Sequence, residues 1–198
     1  MSEKSADRAV LKILTLMLGL SLVLIAWLAY RPGFSGGMYF DDVQNIVAND
    51  AVHWTELSWR NVARTWTEGY LRPRFLANLT FGLNYLLHEL ETPGYHYLNW
   101  IVHIMVGCAL FWVCRSYIRR HTRCAGGLQA TQISLVVVGV FVLHPLGVQA
   151  VTYIVQRMTS MATLFCLLAF GLYLNARSRD GVGGKAWLFG GAFVLLIA

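Results

Sequence analysis

The chain has 198 residues, 57% of them hydrophobic and 13% charged, and a formal net charge of +6. Soluble domains are only ~45–50% apolar, so the composition excludes an ordinary soluble enzyme and indicates an integral membrane protein. A nucleic-acid footprint needs its charges on one face; here they fall at the edges of apolar stretches.

Val10–Tyr30 is apolar for 21 residues apart from Lys12, and Lys4 and Arg8 precede it. A bilayer core takes ~20 such residues as a helix. A signal peptide has a shorter apolar core of ~7–15 residues and a small-residue cleavage site, which Gly33-Phe34-Ser35 matches poorly. The stretch therefore reads as an uncleaved first span at about 10–30. Residues 31–94 then form a long polar loop containing two helices. In Thr55–Trp66, Trp59, Val62, Ala63 and Trp66 share one helical face and Glu56, Arg60 and Arg64 another. That pattern fits a helix lying in the membrane interface, or one packed on a lid. Phe75–Leu90 is more apolar and reads as a second interfacial or re-entrant helix. It contains a sequon, Asn78-Leu79-Thr80, which carries little weight inside an apolar helix. Pro93-Gly94 ends the segment.

A second span is expected at 95–117, closed by Arg115, Arg119, Arg120 and Arg123. Residues 128–174 are then apolar for 47 positions. As one helix they would reach ~70 Å at ~1.5 Å per residue, against a hydrocarbon core of ~30 Å. They must fold back, and His144-Pro145 and Gln156-Arg157 mark the turn, giving spans at 130–148 and 158–174. Residues 187–198 begin a further span that 12 residues cannot complete, so the expectation is an N-terminal fragment of a longer polytopic protein. Ten Lys and Arg lie in 1–12, 115–131 and 175–186, against six elsewhere. The positive-inside rule then puts the N-terminus in the cytoplasm and the loop 31–94 outside. Cys108, Cys114, Cys124 and Cys166 fall in spans or on the inner side without a CxxC pair, and read as packing residues. The expected fold is all-α, a polytopic membrane bundle.

The outer loop gathers the reactive side chains. Asp41 and Asp42 follow two aromatics. Asp is a common helix N-cap, which is one reading; the other is a carboxylate that accepts a hydroxyl proton, its neighbour tuning it or sharing a divalent cation. Arg72-Pro73-Arg74 offers guanidinium forks for phosphate or contacts to lipid headgroups. His144 and Arg157 sit in the apolar hairpin. A charge at the bilayer centre costs at least ~2.5–3.5 kcal/mol, so Arg157 belongs at the outer interface or in a polar cavity. His144 taken alone is more often a structural histidine capping a turn. His96, Asn99 and His103 recur at i, i+3 and i+7 on one helical face. They point either to interhelical hydrogen bonding or to a site.

The words FDD, RP before FLANLTFGLNYLL, PGYHYLN-x3-H and HP-x3-QAV-x3-VQR resemble those of the transmembrane-and-tetratricopeptide-repeat O-mannosyltransferases (the TMTC family) and their bacterial relatives. These belong to the GT-C superfamily of glycosyltransferases. The resemblance covers about Gly37 to Asn175. It implies a GT-C-like membrane domain and transfer of a sugar, mannose in that family, on the outer face from a polyprenyl-phosphate donor to a protein Ser or Thr hydroxyl. It also implies a tetratricopeptide-repeat region beyond this chain and a bacterial inner-membrane setting. It maps the family's acidic motif onto Asp41 and Asp42, and the RP, HP and QR words onto Arg72, His144 and Arg157.

The expected mechanism is an inverting displacement. Asp41 or Asp42 takes the acceptor proton, and the pair is also a candidate site for a Mg or Mn ion. Arg72, Arg74, Arg157 and His144 steady the departing phosphate. The partners are the lipid-linked donor, a protein acceptor and membrane lipids, with no nucleic acid. The alternative is a non-catalytic membrane scaffold, or a remnant of such an enzyme. A transporter fits less well, because transporters place polar groups at the bilayer midplane.

Overall fold

A computed structural model describes residues 3–69, 74–121, 127–177 and 191, with side chains from residue 9 onward. Every regular element among the described residues is helical: α1 (Glu3–Tyr30), α2 (Trp59–Glu68), α3 (Phe75–His88), α4 (Thr92–His121), α5 (Gly127–Leu143), α6 (Val148–Thr152) and α7 (Arg157–Arg177), joined by short 3-10 and π turns. Three helical segments are long and apolar enough to cross a bilayer, Ala9–Ser35, Thr92–His121 and Ile154–Arg177. A fourth span exists if the bent pair Gly127–Leu143 and Pro145–Thr152 counts as one. The protein is a multi-pass membrane protein.

The helix limits follow from local chemistry. Ser58 caps α2, its hydroxyl accepting from Asn61 N at 3.4 Å, which starts the helix four residues later than the spacing suggests. α4 runs three residues ahead of the expected span because Pro93 is tolerated in a first turn. Residues 130–148 are not one straight span. Proline disfavours a helical conformation at the residue before it, so α5 stops at Leu143 and the chain bends by 56°. The incomplete span at 187–198 and Cys124 lie outside the described residues, apart from Gly191.

The described chain packs as two units. One takes α1 up to Ala29, α4 from Ile104, α5, and α7 from Leu164. Its core holds Val106, Ala109 and Leu164, with Phe141, Leu167 and Leu168 against them. Small residues allow close helix contact: a Cβ on Gly171 would run into the Trp112 ring. Polar clasps add to the packing, with Arg115 Nε donating to Thr131 Oγ1 at 2.9 Å and Arg120 Nη2 to Asn175 Oδ1 at 2.5 Å. Leu14, Leu16, Leu20 and Leu24 of α1 stay exposed, as lipid-facing residues should. Cys108 and Cys166 are exposed and Cys114 is half-buried.

The other unit takes Tyr30–His103 and Leu146–Thr163. Ile46, Val52, Ala77, Phe81, Tyr95, Ile154, Val155 and Met158 form its core. α2 buries Thr65, whose hydroxyl donates to Ala51 O at 2.8 Å and accepts from Trp54 Nε1 at 3.0 Å. The indoles of Trp59 and Trp66 remain 85% and 56% exposed. Trp59 is left almost uncovered, while the Trp66 ring meets Phe75 of α3 edge-on at 5.0 Å. Asn78 is 1% exposed, so the sequon lies in the core and is closed to modification in this fold.

Candidate functional site

Asp41 and Asp42 have opposite surroundings. The chain enters the pair through Phe40, whose φ of 48° is unusual for a bulky residue and locally strained. The Phe40 side chain is 86% exposed. Asp42, by contrast, is wholly buried. Its Oδ2 accepts from Tyr39 N at 3.1 Å and its Oδ1 from Val155 N at 2.7 Å. Although Asp42 stands at the N-cap of the π turn Val43–Val47, its side chain makes no capping bond there. The carboxylate instead joins two distant segments, satisfying a donor that a helix start leaves without an intrahelical partner. Burial raises the Asp42 pKa above the usual carboxylate value, and the backbone N–H groups offset only part of that.

Asp41 is exposed. Its N–H donates to the Tyr153 hydroxyl at 3.2 Å, and its carboxylate also lies close enough to that hydroxyl to interact with it. Asn45 Nδ2 donates to Asp41 O at 2.8 Å, holding the turn from behind. The pair thus offers one carboxylate to solvent and locks the other into the fold.

The polar stripe of α4 is buried as a set: His96 and Asn99 are fully enclosed and His103 is 3% exposed. His96 Nδ1 lies 3.2 Å from Val151 O and Nε2 lies 3.0 Å from Gly36 O, so this ring sits between the two segments that carry the acids and their partners. Phe34 stacks on it. Asn99 Nδ2 faces three carbonyls, Ile154 O at 3.1 Å, Tyr153 O at 3.3 Å and Val151 O at 3.4 Å. His103 meets the Tyr30 ring edge-on at 5.5 Å.

Arg157 is fully buried. Its Nε donates to Asn99 Oδ1 at 2.7 Å, Nη1 to Thr80 Oγ1 at 3.1 Å and Nη2 to Tyr95 O at 3.0 Å. Its guanidinium carbon lies 4.6 Å from the Phe81 ring centre and 5.8 Å from that of Tyr95. This is the polar cavity that a charge in an apolar hairpin needs. Arg74 is exposed at the N-cap of α3, with Nη1 3.4 Å from Met158 Sδ. Arg72 lies outside the described residues. His144 is exposed and belongs to the other unit. The structure therefore brings together Asp41, Asp42, His96, Asn99 and Arg157. It adds Tyr153, Thr80 and the Val155 N–H, which sequence reasoning missed. The one signal for Tyr153 was its place between the QAV and VQR words.

Among the described residues no three His, Cys, Asp or Glu side chains come together in a way that could hold a metal ion. Both Asp42 oxygens are already engaged by backbone N–H groups. The donor set around the pair does not fit a divalent cation bound by protein ligands alone.

The chain is similar in sequence to known proteins. The chain is 31% identical over 151 residues to the Protein O-mannosyl-transferase TMTC3 of Mus musculus, covering 73% of this chain and 15% of that protein. It is 30% identical over 177 residues to the Homo sapiens protein of the same name, covering 86% of this chain and 18% of that one. With the Protein O-mannosyl-transferase TMTC1 of Homo sapiens it shares 29% identity over 168 residues, or 80% of this chain and 18% of the relative. The chain thus spans under a fifth of the length of these curated relatives. No family model matches it, and no solved structure does.

Proposed function

We propose, since this chain is a relative of the TMTC-type protein O-mannosyltransferases over most of its length, that it forms the acid-bearing part of a membrane glycosyltransferase. The enzyme moves a sugar, mannose by its relatives' names, from a polyprenyl-phosphate donor to a hydroxyl of a protein acceptor. The observation that carries this reading is the split of the acidic pair, with Asp41 exposed and Asp42 buried under two backbone N–H groups. A general base must reach the proton it removes, and Asp41 can reach an incoming hydroxyl. Asp42 anchors the turn that presents it.

In the reaction Asp41 accepts the acceptor's hydroxyl proton as that oxygen bonds to the anomeric carbon. The bond from that carbon to the phosphate oxygen breaks, and the lipid phosphate leaves with the electron pair. Back-side attack inverts the anomeric configuration. The exposed Arg74, with Arg72, suits the growing phosphate charge, since a guanidinium matches phosphate oxygens in a fork. The positive-inside bias supports an outer-face position for this loop, where a lipid-linked sugar would be presented. Binding of radiolabelled polyprenyl-phosphate mannose to the purified protein in nanodiscs tests the reading. Saturable binding that unlabelled donor displaces is expected. A scaffold has no reason to bind the donor, so absence of binding by protein shown to be folded would favour that alternative.

A further inference from the structure

We infer that Asn99 and Arg157 are positioning residues for the acidic pair, acting through the turn at 151–155; this rests on the glycosyltransferase reading above. The argument starts from donor chemistry. A guanidinium only donates hydrogen bonds, whereas an Asn amide both donates and accepts. Arg157 Nε donates to Asn99 at 2.7 Å, so the atom facing it must be Oδ1. That fixes the amide orientation, and Nδ2 is turned onto the carbonyls of Val151, Tyr153 and Ile154. One side chain thereby gathers three carbonyls of a five-residue turn.

Other groups of the same turn meet the acids. Val155 N donates to Asp42 Oδ1 at 2.7 Å, and the Tyr153 hydroxyl accepts from Asp41 N at 3.2 Å. The relay runs from Arg157 to Asn99, from Asn99 to the turn, and from the turn to the Asp42 carboxylate and the Asp41 backbone. His96 closes it from the other side through Val151 O and Gly36 O.

The geometry also separates Arg157 from phosphate binding. The side chain is fully buried, its three nitrogens each have a neutral protein acceptor, and two aromatic rings lie close to its guanidinium carbon. A lipid phosphate would have to displace all of this to touch it. Lysine carries the same charge without the planar fork, so it cannot hold Asn99, Thr80 and Tyr95 together.

The test uses Asn99→Asp and Arg157→Lys in the full-length protein, with donor kinetics measured beside Asp41→Asn. In Asn99→Asp a carboxylate still accepts from Arg157 but presents an oxygen to the three carbonyls, so the turn opens. The expected result is a kcat about a hundredfold lower with the donor KM unchanged, the scale of loss from misplacing a catalytic group by ~1 Å. Arg157→Lys should do the same. Hydrogen exchange should rise at 151–155 in both variants while the rest of the chain keeps its protection. Wild-type kcat in either folded variant overturns the inference, and so does a raised donor KM with unchanged kcat in Arg157→Lys, which would make Arg157 a donor ligand. Should Asn99→Asp fail to fold, Thr80→Val removes one Arg157 acceptor alone and must lower kcat without raising KM. If Asp41→Asn keeps activity, the enzymatic reading itself fails. If Asp41→Asn is dead while folded Asn99→Asp and Arg157→Lys are normal, only the relay is wrong.

Discussion

Replacing Asp42 by Ala removes the acceptor of two backbone N–H groups, Tyr39 at 3.1 Å and Val155 at 2.7 Å, at a wholly buried position. A buried donor left without a partner costs about 1–3 kcal/mol, so two cost roughly 2–6 kcal/mol. Relief of the buried carboxylate works in the opposite direction, because burial already disfavours its charge. A net loss of about 2 kcal/mol or more is expected. Asp41→Ala touches an exposed side chain, and surface changes usually stay within about 0.5 kcal/mol. Thermal unfolding of both variants in the same detergent at pH 7 gives the comparison. Asp42→Ala should lower Tm clearly while Asp41→Ala leaves it close to wild type. Equal shifts, or a larger one for Asp41→Ala, would refute the assignment of Asp42 as the anchor.

The raised Asp42 pKa sets a pH dependence. Between the ordinary carboxylate value, ~3.9, and the raised folded value, the fold keeps a proton that the unfolded chain releases. Stability therefore falls as pH rises through that window and levels off above it; comparing wild type with Asp42→Asn by unfolding across acid pH should show this slope only in wild type. Gly82→Ala improves helix propensity by about 1 kcal/mol, but its Cβ would sit 2.7 Å from Trp54 Cδ2 and 2.8 Å from Nε1. The indole is pinned by Thr65 and Ala51, so overpacking of about 1–3 kcal/mol should win, and a Tm above wild type would contradict this packing. Phe40→Gly trades strain at φ 48° for greater chain entropy, roughly 1–2 against 0.5–1 kcal/mol. Chemical denaturation should find it as stable as wild type or slightly more so, and a large loss would mean that the exposed ring is held by a contact.

The helical membrane architecture was legible because it rests on long-range averages: apolar length at α1 and α4, and the proline break after Leu143. The shared face of His96, Asn99 and His103 was legible because helical spacing is local. The roles of the two acids were not. Asp42 meets Val155 across 113 positions and Asp41 meets Tyr153 across 112, and no periodicity in the chain encodes which backbone N–H groups a carboxylate will meet. An N-cap at Asp42 was a sound local reading that a tertiary contact overrode. The demand that Arg157 find a polar cavity was readable from the cost of a charge in an apolar hairpin. Its partners Asn99, Thr80 and Tyr95 O were not, since they come from two other helices.

Transfer of labelled mannose from polyprenyl-phosphate mannose to a Ser- and Thr-containing acceptor, by membranes holding the full-length protein, tests the central claim most directly. Wild type should form a labelled O-linked product of inverted anomeric configuration. Asp41→Asn, equally folded, should form none. Transfer by Asp41→Asn at the wild-type rate, or product of retained configuration, would contradict the account.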